Sequence, residues 1–269
     1  MTTTINTNIN SINAQRSLAS TSNSLATSMA RLSSGLRINS AADDAAGLSI
    51  SERMDAQTRG MNVAIRNAND AIGMAQTADG ALGAITNNLQ RMRELAVQAS
   101  NGTNTSSDIT SLNNEYKMLS DENIRVVAAT KFNGQNVIAS TTFTFQVGAN
   151  AVAAEDQIAV TGSKFSGTAT DLGTTTSTAF AQITKLDADI NTVNSARSQW
   201  GAVENRFNTV ISNLQVGSEN SAAAHGRIVD ANYAQETANL SRAQVLQQAG
   251  TAMVAQANQG PQGVLTLLR

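Results

Sequence analysis

Catalysis needs groups that attack, ionise or ligate, and this chain holds few of them. It has one histidine, His225, and no cysteine, which excludes disulfides, thiolate nucleophiles and thiolate metal sites. His225 precedes Gly226 with no HExxH frame, so a zinc-binding helix would lack its second imidazole. It reads as a surface or interface histidine. Adjacent Asp43 and Asp44 could pair as acid and base, yet they stand at the start of a predicted long helix, where carboxylates cap N–H groups and offset the helix dipole. The isolated glycines build no phosphate loop. No enzyme, metal site or cofactor is expected. A Gly/Thr/Ser-rich loop at residues 167–178 has the composition of an O-glycosylation acceptor.

Electrostatics does not choose a partner. The formal net charge is −2 with both signs dispersed, so neither a basic face for nucleic acid nor an acidic tail is present. The start, MTTTINTNIN, lacks the basic and apolar regions of a cleaved signal, and no apolar run is long enough to span a bilayer. Charged residues make up 14%, below the roughly 25% usual in soluble domains, and aromatics only 3%. Alanine and methionine must therefore fill much of the core.

The elements that carry these residues are long helices. From Met54 every seventh residue is apolar (Met54, Met61, Ala68, Ala75, Leu82, Leu89, Ala96), and a second ladder follows three behind at Gln57, Ala64, Ala71, Ala78, Ile85, Met92 and Ala99. The helix predicted from Asp44 to Ser100 would be roughly 85 Å long. Asn101-Gly102 stops it, and a third helical stretch carries Ile109, Leu112, Tyr116, Leu119 and Val126 up to the turn signal Phe132-Asn133-Gly134. Residues 143–147 and 157–160 alternate as strands of a β-hairpin. Helical period returns at Phe180, with Leu186, Val193, Trp200, Phe207 and Leu214 spaced by seven.

Both termini are amphipathic and nearly uncharged. At the N-terminus Ile5, Ile9 and Ile12 precede Leu18, Leu25 and Leu32, with Met29 and Leu36 beside them; the period predicts a helix interrupted near residues 12–18. From about Asp230 a last helix carries Val245, Leu246 and Met253. Pro261 should kink or restart it before the apolar tail Val264, Leu265 and Leu268. Up to Ala30 the sole charge is Arg16, and between Arg242 and Arg269 there is none. Burying such ends desolvates almost no ions. As weak helix formers they are expected to be disordered alone and to fold on assembly.

Four segments carry a family resemblance: INTNINSINAQRSL at the start, RLSSGLRINSAADDAAGLSISERM from Arg31, QRMRELAVQASNGT from Gln90, and the end from Ser241. Together, over residues 1–138 and 180–269, the chain resembles bacterial flagellin. The resemblance implies a mainly α fold, a long antiparallel helical bundle with a small β-hairpin region between its N- and C-terminal halves. It implies an inner domain from 1–42 with 229–269, a bundle from 43–135 with 179–228, and a short outward region at 136–178. It also implies export without cleavage by the flagellar secretion apparatus and assembly with copies of itself into a hollow extracellular filament. The implied assembly residues are Ile5, Ile9, Ile12, Leu18, Leu25, Leu32, Val245, Leu246, Met253, Val264, Leu265 and Leu268. Further implied partners are an export chaperone at the C-terminal segment and filament cap and junction proteins. A flagellin-sensing Toll-like receptor is also implied, through Arg91, Leu95 and Glu115. On residue spacing alone, Arg91 and Glu94 read as an ordinary surface i, i+3 pair and Leu95 as a packing residue between subunits. A hook–filament junction protein is the nearest structural alternative, and a monomeric coiled-coil module the alternative from periodicity.

Overall fold

A computed structural model describes residues 7–162, 165 and 170–265, with side chains as far as Gln259. Ile5 and Leu268 lie outside the described residues, as do the side chains of Val264 and Leu265. In chain order the elements are α1 (Ile9–Ser34), α2 (Ala45–Ala99), α3 (Ser106–Ala129), β1 (Lys131–Phe132), β2 (Gln135–Asn136), β3 (Thr142–Gln146), α4 (Ala153–Asp156), β4 (Gln157–Thr161), α5 (Thr176–Val229) and α6 (Tyr233–Leu265). They divide into two compact units, one of residues 57–219 and one of residues up to 56 with those from 220 onward.

The 57–219 unit is the bundle that the heptads call for. Every ladder residue of α2 from Met61 to Ala99 is buried, whereas Met54 is half-buried and Gln57 exposed. From α5, Leu186, Val193, Ala196, Trp200 and Phe207 join the same core, and Ile109 and Tyr116 enter from α3. Polar ties set the directions. Arg93 bonds Asp187 at 2.6 Å and Arg197 bonds Asp79 at 2.8 Å, so α5 runs antiparallel to α2. Asn88 donates to Asn123 at 2.8 Å and Arg91 to Glu115 at 2.9 Å, so α3 does likewise. A core built largely of alanine lets these helices approach closely.

Local chemistry sets the ends. The Asp44 carboxylate accepts from Gly47 N–H at 2.8 Å at the start of α2, and Asp43 accepts from the backbone N–H groups of Asn39 and Ser40. Thr105 and Asp108 form a reciprocal capping box on α3. Thr175 and Thr178 exchange side-chain-to-backbone bonds at the start of α5. Between β1 and β2, Asn133 and Gly134 take φ 48° and 79°, the double positive φ of a type I′ turn. β3 and β4 pair antiparallel, Phe143 opposite Val160 and Phe145 opposite Ile158. Their apolar face turns inward, where Phe145 meets Phe207 edge-on at 5.6 Å between ring centres.

Two expectations need correction. α1 is continuous from Ile9 to Ser34, with no break at residues 12–18. The aliphatic period lapses there because Ser11 and Ala14 occupy the packing positions instead, not because the helix ends. Likewise α6 runs on through Pro261 to Leu265 as one element, so the proline does not restart it.

Candidate assembly surface

The charge-poor ends meet in the second unit, where α1 and α6 pack as an antiparallel pair. At one end Asn8 caps α1 by accepting from Ser11 N–H at 3.1 Å and donates to Ala257 O at 2.7 Å, while Ser11 Oγ donates to Asn258 at 2.7 Å. At the other, Arg31 pairs with Glu236 at 3.3 Å, the Arg37 guanidinium donates to Ile228 O, and Leu36 bridges Asp230. Midway, a Cβ on Gly250 would come within 3.1 Å of Leu18 Cδ1; glycine sets the spacing of the two helices there.

The seam follows alternating three- and four-residue steps, as in a coiled coil. On α1 it is Ser11, Ala14, Leu18, Thr21, Leu25, Ser28 and Leu32; on α6 it is Glu236, Leu240, Ala243, Gln247, Gly250, Val254 and Ala257, each buried or half-buried. Nine of these fourteen residues are polar or small. Sequence reasoning found the leucine line of this seam, Leu18, Leu25 and Leu32, and missed its polar and small positions, whose available signal was the heptad spacing of serine, alanine and glycine.

Placing small residues inside leaves large ones outside. Of the expected assembly residues, Leu18, Leu25 and Leu32 are half-buried within the pair, whereas Ile9 is 59%, Ile12 47%, Val245 65%, Leu246 51% and Met253 61% exposed. Met29, at 56%, belongs with them. In the heptad frame Ile9, Ile12 and Met29 occupy neighbouring positions on one flank of α1. Leu246 and Met253, seven residues apart, share a flank of α6 and line an open groove with Leu18 and Ala249. These flanks carry aliphatic side chains with almost no charge around them. Such a surface marks an interaction site.

The expected receptor residues come together only in part. Arg91 bonds both Glu115 and Glu94 at 2.9 Å, with all three side chains about half or more exposed. The hydrogen bond that Arg91 donates to the Glu94 carboxylate is the foremost of the contacts that raise the Arg91 pKa. Leu95 is fully buried in the bundle core. Met74, Ala81, Asn88 and Leu95 form a third inward line on α2, because a helix held between α3 and α5 buries a wider arc than two ladders cover.

Comparison with known proteins matches both halves. The bacterial flagellin N-terminal helical region covers residues 5–142 and the C-terminal helical region residues 183–268. The chain is 44% identical to flagellin of Halalkalibacterium halodurans over 98% of this chain and 99% of the relative, and 40% identical to flagellin of Bacillus subtilis with the same coverage. Flagellin C of Vibrio cholerae aligns along the whole of both chains at 33% identity over 376 residues, against the 269 here. The crystal structure of Bacillus cereus flagellin superimposes with a TM-score of 0.51 at 36% identity, covering 60% of this chain and 94% of that one. Matched at both ends, in order, on a long helical bundle with small hairpins, the chain belongs to the bacterial flagellin family, as a short member of it.

Proposed function

We propose that this chain is the structural subunit of a flagellar filament, exported without cleavage and polymerised outside the cell for motility. The observation that carries the reading is the α1–α6 pair: it seals a small, partly polar seam within the chain and leaves Ile9, Ile12, Met29, Val245, Leu246 and Met253 exposed. Neighbouring copies cover those side chains in the polymer, at little cost in desolvated charge. The apolar tail from Val264 contacts an export chaperone before secretion and neighbouring subunits afterwards, and the filament ends engage cap and junction proteins. Among the described residues no helix is long and apolar enough to cross a membrane.

Electron microscopy of purified protein after seeded or salt-induced assembly tests this reading. Long uniform helical filaments support it; discrete rings favour a junction protein, and persistent monomers a binding module. A second reading concerns recognition. The exposed Arg91–Glu115 pair supports contact with the flagellin-sensing Toll-like receptor, with Leu95 supporting the site only from within. Receptor signalling should fall for monomeric Arg91→Ala that retains its helicity; signalling equal to wild type would remove this partner.

A further inference from the structure

Of the eight methionines, the seven among the described residues divide by exposure. Met61, Met74 and Met92 are buried in the bundle, Met92 with its sulfur 3.6 Å from the Asn123 amide nitrogen, and Met54 is half-buried. Met29, Met118 and Met253 are 56%, 73% and 61% exposed. Two of these three lie on the uncovered flanks of the α1–α6 pair, and Met253 lines the open groove with Leu18, Leu246 and Ala249, its other wall carrying Asn10, Asn13 and Ser17. Thioethers are the groups on that surface that peroxide oxidises most readily: no cysteine exists, and the single Trp200 is buried.

We propose that Met253 and Met29 are oxidation sites through which peroxide controls assembly, an inference that rests on the polymerisation reading above. A sulfur lone pair attacks one peroxide oxygen, the O–O bond breaks, and the other oxygen leaves as water. The sulfur is oxidised by two electrons to the sulfoxide and the peroxide is reduced. The product replaces a flexible apolar side chain with a strongly polar S=O group. On a free monomer that group is solvated at no cost. In a filament it must enter a contact between copies, where an S=O left without a donor is penalised. Oxidation therefore acts before assembly, and enzymatic reduction of the sulfoxide reverses it.

The test treats full-length monomer with hydrogen peroxide until peptide mass spectrometry shows sulfoxide at Met29, Met118 and Met253. The treated protein is then seeded with untreated filament fragments, and the critical concentration is read by sedimentation. Treated wild type should show a critical concentration about tenfold or more above untreated, equivalent to about 1.4 kcal/mol per subunit, with unchanged circular dichroism. The double variant Met29→Leu/Met253→Leu conserves side-chain volume and should stay within about twofold of its untreated value. Met118→Leu should remain as sensitive as wild type, and methionine sulfoxide reductase should restore its assembly. Unchanged assembly of fully oxidised wild type, or equal loss in the double variant, would overturn the proposal. Failure of untreated protein to polymerise would instead overturn the assembly reading and this one with it.

Discussion

At Arg91 and Leu95 one short motif separates into two roles. The guanidinium lies outside between two carboxylates and the leucine is fully buried, so truncating them should produce different losses. Leu95→Ala leaves a cavity among close-packed helices and should cost about 3 kcal/mol in chemical denaturation of the monomer. Arg91→Ala should leave that midpoint unchanged, since its pairs are solvent-screened. The carboxylates respond to acid together. Backbone N–H bonds from Asn39 hold Asp43 below its ordinary pKa, the Thr105 hydroxyl does the same for Asp108, and the Gly173 N–H for Asp171. A depressed folded pKa adds stability that is present above the unfolded value, near 4, and is lost as pH falls through the folded value. Thermal unfolding followed by circular dichroism should therefore be flat from about pH 7 to about pH 5 and decline below about pH 4. A midpoint that rises on acidification would contradict these assignments.

Among the elements, legibility depended on which residue types do the packing. The ladders of α2 and α5 stood out because alanine, leucine, isoleucine and tryptophan repeat by seven, and the Asn-Gly turn and the two strands declared themselves by residue type. The α1–α6 seam was legible in Leu18, Leu25 and Leu32, but its other positions on α1 are serine, threonine and alanine, residues as common on surfaces as in close helix pairs. The third inward line of α2 escaped because heptad spacing does not say how wide an arc α3 and α5 together cover. Capping was readable, and it gives a direct test: Thr105→Ala removes half of the reciprocal box on α3 and should cost about 1 kcal/mol. For α1 and α6, weak helix propensity and a polar seam imply low local stability in the free chain. Their amides should exchange faster in the monomer than those of α2, and become protected in the polymer. Equal protection in both states would contradict folding on assembly.

For the whole molecule, the division of labour follows from where apolar surface remains. The bundle of residues 57–219 buries its own tryptophan, phenylalanine and leucine and needs no partner to do so. The terminal pair instead exposes isoleucine, valine, leucine and methionine while pairing through small groups. Removing residues 262–269 should impair polymerisation and leave the bundle's unfolding transition where it was; normal filaments from the shortened chain would deny the tail a part in assembly. The central claim, that the exposed flanks of α1 and α6 are the polymer contacts, is tested most directly by seeded assembly of the Ile12→Ser/Val245→Ser variant. Both side chains are about half or more exposed in the monomer, so its unfolding midpoint should match wild type. Its critical concentration should rise at least about tenfold, or no filaments should form at all. Filaments forming at the wild-type concentration would contradict that claim.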